Sequence, residues 1–209
     1  MNRRLYCAAT GFAALGAIGL LALVPAHAQA AANPDPAAAK AGAYAIEPHH
    51  TRVLFSVSHM GFTTWYGDFT DVSGKLTLDA AHPEASSLQV SIPTASVVTT
   101  NAKVDSELKD WFEAAKYPAI TFASTAVHQT GPSDADVTGD LTFHGVTKPV
   151  TLHAHFNGAG RNPIGIAYIA GFEVSGQIKR SDFGVAKFVP MVGDDVNLII
   201  SAAFERKGE

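Results

Sequence analysis

Cysteine is nearly absent from this chain of 209 residues: Cys7 is the single one. A lone thiol closes no internal disulfide and builds no thiolate metal site. It also precedes the one long apolar run, whereas a lipoprotein cysteine would follow it. Charge is sparse too, at 16% Asp, Glu, Lys and Arg, where soluble domains carry about 25%. The balance is 15 basic against 19 acidic residues. An acidic chain is a poor match for nucleic acid or for anionic headgroups. Enzyme signatures are missing as well. The sequence carries no phosphate loop and no dinucleotide fingerprint. Ser175-Gly176 has Glu173 where a nucleophile elbow needs glycine, and it sits inside a strand pattern. No catalytic residue and no cofactor is expected.

The apolar run from Ala8 to Val24 is barely long enough to span a bilayer. Asn2-Arg3-Arg4 supplies a basic start, and Pro25 precedes Ala26-His27-Ala28, a small-x-small cleavage site. This pattern predicts a cleavable signal peptide over 1–28, export to the periplasm, and no stable membrane insertion of the mature chain. A retained anchor is the competing reading. Cleavage removes Arg3 and Arg4, leaving 13 basic and 19 acidic residues, so the charge moves from −4 to −6. Residues 29–43, rich in Ala and Pro, read as a disordered tether. Residues 44–206 are the size of one domain and can bury a core without staples.

Period-two alternation dominates that domain. Val53, Phe55, Val57 and His59 alternate with Leu54, Ser56 and Ser58. Phe69 to Leu78 alternates, with a bend or bulge expected at Ser73-Gly74. Leu88–Ile92 and Ile120–Ala123 follow. Gly139 to Leu152 reads as a hairpin, with Leu141 and Phe143 before its turn and Val150 and Leu152 after it. Ala167–Ile178, with Phe172, Val174, Gly176 and Ile178 on one face, and Val196–Phe204 complete about eight strands. Val104, Leu108, Trp111 and Phe112 fall at helical spacing and predict one short helix between strands 3 and 4, ended by Tyr117-Pro118. Asp105 near its start offsets the helix dipole. The class is therefore all-β, as a barrel or a two-sheet sandwich. Small or polar residues (His59, Ala154, Gly176) on the expected inner face favour a partly hollow interior over a solid one.

Four segments form a pattern that runs the length of the domain. The first is Tyr44-x-Ile46-x-Pro48-x-His50-Thr51-x-Val53-x-Phe55-x-Val57-x-His59-x-Gly61. The second is Ala115-Lys116-Tyr117-Pro118-x-Ile120-Thr121-Phe122, with Ser124. The third is the hairpin from Gly139 to Val150, and the fourth is Lys179-Arg180-Ser181-Asp182-Phe183-Gly184. Together these segments resemble the YceI-like periplasmic proteins, a lipocalin-like family of polyisoprenoid-binding barrels, and the resemblance covers about 44 to 205. It implies an eight-stranded antiparallel lipocalin-like barrel, with no enzymatic activity and no metal. It further implies an apolar pocket for a polyisoprenoid or an isoprenoid-quinone-like lipid. Many members carry a basic residue directly before the aspartate that opens the helix segment. Val104 stands there instead, which weakens the case for a phosphorylated head.

On that reading the candidate ligand-binding residues are Phe55, Val57, His59, Trp111, Phe122, Leu141, Phe143, Leu152, Phe172, Val174 and Arg180. His59 is a hydrogen-bond donor to a carbonyl head or a core histidine bonded to backbone. Arg180 either pairs with Asp182 across a turn or faces a polar head. His153 and His155 share a strand face, but two histidines fall short of a zinc site. The alternatives are a filled barrel acting through its surface as an interaction module and, behind it, a hydrolase. The oligomeric state is open, a homodimer included.

Overall fold

The computed structural model describes residues 32–208. The expected signal peptide, 1–28, and the start of the expected tether, 29–31, lie outside the described residues. The fold is one antiparallel sheet wound into a closed ring. Its segments are β1 (Gly42–Ile46), β2 (Arg52–His59), β3 (Thr63–Phe69), β4 (Ser73–Leu78), β5 (Ser87–Pro93) and β6 (Val97–Val98). They continue with β7 (Ala119–Gln129), β8 (Asp134–Phe143), β9 (Val146–Arg161), β10 (Tyr168–Lys179) and β11 (Val192–Arg206).

Three strands of the ring are bent in two. β11 pairs with β2 along Val192–Ser201 and with β1 at Phe204–Arg206, so β1 and β2 are halves of one strand. The break between them is held by Glu47, which accepts from the amides of His49 and His50, and by the Thr51 hydroxyl, which donates to the Glu47 carbonyl. β3 and β4 form a second bent strand, broken at 70–72, and β5 and β6 a third, broken at the 310 turn Thr94–Ser96. With the five continuous strands β7 to β11 they make an eight-stranded up-and-down barrel, closed by β11 against β1 and β2. Closure pairs the first strand with the last, so the sheet has no free outer strand. The helix α1 (Ala102–Trp111) falls between the third and fourth of these strands, as the spacing predicts.

Several local expectations shift. The second strand breaks before Ser73, at 70–72. The helix ends at Trp111, six residues before Tyr117, because Glu113 turns left-handed at φ 45°. Its N-cap is Asn101, whose side chain accepts from the amides of Lys103 and Val104. Asp105 lies in the first turn, as expected, and also accepts from the amide and hydroxyl of Thr99, tying the helix to the end of β6. The hairpin turn is two residues, His144 and Gly145, both at positive φ. Lys148 and Pro149 lie inside β9.

The stretch expected to be a disordered tether is corrected where it is described. Residues 32–41 lie along the barrel wall, and β1 begins at Gly42. Asn33 bridges to Ala159, Ala39 is buried, and the Tyr168 hydroxyl bonds the Lys40 amide and the Ala38 carbonyl. A composition poor in large apolar side chains predicts weak burial but says nothing of backbone groups donated to a neighbouring strand.

Two buried clusters pack within the barrel, one toward each end. Phe69, Ile92, Val97, Phe112, Phe143 and Phe183 close the helix end. Tyr44, Leu76, Phe156, Tyr168 and Phe204 pack at the opposite end. No described helix is long and apolar enough to cross a membrane.

Candidate functional site: an apolar lumen

Between the two clusters the barrel is hollow. A cavity of about 340 Å³ runs through it, at the small end of the ~300–1,000 Å³ range of ligand pockets. Its wall is made by the inward alternation of nearly every strand. Phe55 and Val57 come from β2, Val90 from β5, Phe122 from β7, and Leu141 and Phe143 from β8. Leu152 and Ala154 come from β9, Phe172 and Val174 from β10, and Leu198 and Ile200 from β11. Many of these inward residues are only half-buried, although their side chains point away from bulk water. In a filled core they would be sealed. Partial exposure on the inner face is the mark of space inside the ring.

Glycines set the shape of that space. A Cβ on Gly67 would lie 2.2 Å from the ring of Phe55, and one on Gly139 would lie 2.4 Å from that of Phe122. A Cβ on Gly176 would lie 2.5 Å from Leu152. Each large side chain thus lies flat over a neighbouring strand instead of standing into the lumen. The residue expected as a mere small spot on the inner face, Gly176, is one of these seats.

The lumen opens at the end away from the helix, between the β4–β5 connection (79–86) and the β7–β8 turn (130–133). Asp79, Ser86, Ser87, Gln129, Ser133 and Asp134 line this mouth, with Pro36 and Ala39 of the N-terminal segment beside it. Asp79 is held below the ordinary carboxylate range, first by the amide of His82 and then by that of Ala81. Two other polar groups line the cavity, and both are occupied. Thr51 Oγ1 donates to the Glu47 carbonyl at 2.8 Å and accepts from the Ala203 amide at 3.0 Å. Arg180, 7% exposed, donates from Nε to the Gly193 carbonyl and from Nη1 and Nη2 to those of Val185 and Val192, at 2.7–2.8 Å. Burial pulls its pKa below the usual guanidinium value, partly offset by Asp194.

Of the residues singled out from sequence, Phe55, Val57, Trp111, Phe122, Leu141, Phe143, Leu152, Phe172, Val174 and Arg180 all line this cavity. His59 is the exception. It shares a face with Phe55 and Val57, but β2 and β3 run past the barrel rim there, where the β11 register slips between Val192 and Val196. Its ring stacks on Trp65 at 4.4 Å, outside the lumen. Arg180 is not paired with Asp182, which instead lies 4.0 Å from Lys148. The turn after β10 is pinned by Asp194, which accepts from the Ser181 amide and hydroxyl and is held below its ordinary value by those bonds. Val104 does not line the cavity. His153 and His155 bond Asp136 and Asp134 on the outer face. Val90, Leu198 and Ile200 were not singled out, though the alternation of β5 and β11 puts them on the inner face.

Known proteins share this architecture. The chain is 44% identical over 167 residues to a UPF0312 protein of Ectopseudomonas mendocina, covering 78% of this chain and 87% of that one. Its fold matches the crystal structure of Burkholderia cenocepacia BcnA with a TM-score of 0.67 at 26% identity, over 76% of this chain and 98% of that one. A structure of a polyisoprenoid binding domain from Saccharophagus degradans, implicated in plant cell wall breakdown, matches with a TM-score of 0.59 at 18% identity. That match covers 78% of this chain and 98% of that one, and shows the shared fold. The YceI-like domain matches residues 44–204, from within β1 to near the end of β11, and by that match this barrel belongs to the YceI-like family.

Proposed function

We propose that the protein is a periplasmic binding or carrier protein for a long-chain amphiphile, an isoprenoid such as a quinone or a polyprenyl lipid. The observation that carries the proposal is the half-buried apolar wall around an open lumen whose inner polar groups, Thr51 and Arg180, are already bonded to backbone. Such a lining takes a hydrocarbon chain without special chemistry. Burying about ten methylene-sized groups contributes roughly 8 kcal/mol at ~0.8 each, and association costs several kcal/mol of it. The remainder suffices for micromolar binding. The ligand description of the S. degradans domain points the same way, and the N-terminal basic-apolar-small pattern supports export. The same occupied polar groups leave the lumen better suited to binding than to catalysis.

The experiment is native mass spectrometry of protein taken from the exported fraction of producing cells, with displacement of a fluorescent lipid by quinones and prenyl alcohols. A co-purifying hydrophobic molecule and micromolar displacement are expected. Val174→Asp, which puts a carboxylate on the lumen wall, should weaken uptake at least tenfold while the barrel stays folded by circular dichroism. Repeated absence of ligand and no uptake of either lipid class would sink the carrier reading.

A further inference from the structure

The barrel wall has a breach. β9 and β10 pair from Tyr168↔Arg161 to Ser175↔His153, and there the ladder stops. Both strands continue: β9 reaches back to Val146 and β10 runs on to Lys179. Over that stretch β9 is paired with β8 alone and β10 with β11 alone. Two strand edges therefore face each other without a shared ladder. Pro149, which lacks a backbone N–H, lies on one of them. A groove of about 380 Å³ fills the space between.

The groove adjoins the lumen across two side chains. Val150 and Ile178 line both. Their side chains are the partition between a polar cleft outside and the apolar cavity inside. The rim differs from the lumen in chemistry: Lys148, Thr151, Gln177, Lys179, Asp182 and Asp195 line it. Lys179 is locked onto Asp195 at 2.7 Å, which raises its pKa. Lys148 lies 4.0 Å from Asp182 and is half exposed, so it is the looser cation of the two.

Building on the carrier reading, we infer that this breach seats the polar head of the bound amphiphile while its tail lies in the lumen. The balance of charge selects the head. The two lysines and two carboxylates of the rim cancel, so a phosphate or diphosphate gains no net attraction there and meets the repulsion of Asp182 and Asp195, and the mouth at the other end carries Asp79 and Asp134. An uncharged oxygen acceptor, a quinone carbonyl or a prenyl alcohol hydroxyl, accepts a hydrogen bond from Lys148 Nζ without facing that repulsion. An oxygen drawn deep into the lumen would find Thr51 and Arg180 already bonded, and leaving it unpaired there is unfavourable.

The test places a fluorophore by a single cysteine at Thr151, beside the breach, or at Gln129, at the mouth, in chains carrying Cys7→Ser. A benzoquinone with a short isoprenoid tail quenches a nearby fluorophore. Quenching at 151, with 129 left bright, is the expected result. Quenching at 129, at both alike, or at neither while a lipid dye is displaced, overturns the head assignment and leaves the carrier reading standing. No displacement of the dye by any lipid overturns both. In a second measurement, Lys148→Met should weaken the quinone and a matching prenyl alcohol about fivefold and leave squalene, which has no head, unchanged. Loss for one head and not the other names which oxygen is used. No loss for either head, or equal loss for all three ligands, overturns the assignment.

Discussion

Arg180 shows how one side chain can organise a site without touching chemistry. Its guanidinium gathers the carbonyls of Val185, Val192 and Gly193, which holds the chain after the 310 turn Arg180–Phe183 against the start of β11. Phe183 and Val185, both buried, are drawn under the helix end by the same fold of chain. Arg180→Met removes the donors from one buried and two partly buried carbonyls. We expect a loss of about 3 kcal/mol of stability in urea denaturation, at roughly 1 kcal/mol per bond. Arg180→Lys should recover little of it, because an ammonium cannot span the three-way fork. The sequence marks Arg180 as a charged residue near a turn. It cannot show that three carbonyls converge there, since two of them are contributed twelve and thirteen residues later. His59 illustrates the complementary limit. Alternation assigns it correctly to the face of Phe55 and Val57, but parity does not say where a strand leaves the barrel.

At the scale of elements, the β8–β9 hairpin is the most legible part of the molecule. Its alternating residues Leu141, Phe143, Val150 and Leu152 face the cavity as their period requires. Its turn is built on His144 at φ 51° and Gly145 at φ 75°, the pair of left-handed residues whose twist matches the strands. His144 Nδ1 lies 3.1 Å from the Phe183 carbonyl and its ring meets Tyr117 edge-on at 4.7 Å, so the turn is fastened to two other segments. Gly145→Val imposes a β-branched residue on a left-handed backbone and drives its Cβ to 2.4 Å from the Tyr117 ring. A loss of about 2–3 kcal/mol is expected by chemical denaturation. Gly165→Val, in the exposed turn after β9 where the nearest atom is 3.6 Å away, should change stability little. The length of β9 was less legible. Its sixteen residues run well past Leu152 because His153 and His155 face outward onto Asp136 and Asp134, an outer-face pairing that apolar periodicity does not register.

For the molecule as a whole, the hollow lumen is the property on which function rests, and it can be filled on purpose. Ala154 is a small inward residue opposite Val174. Ala154→Trp places a large ring in existing space, so we expect unchanged or higher thermal stability together with at least a tenfold loss of lipid uptake. A lumen that is needed for binding gives that split, and unaltered uptake would show that ligand lies elsewhere. The sequence by itself determined the all-β class, the helix α1 and its place, the inner face of most strands and the family motifs. These are local properties, written in period-two alternation, turn residues and short-range order. Tertiary structure alone decided that three strands are bent, that residues 32–41 lie along the wall, that the interior is open, and that β9 and β10 part. Each depends on how distant segments meet. Whether Phe55, Phe122 and Leu152 fill the barrel or lie flat against it turns on glycines in neighbouring strands, and no window along the chain contains both partners.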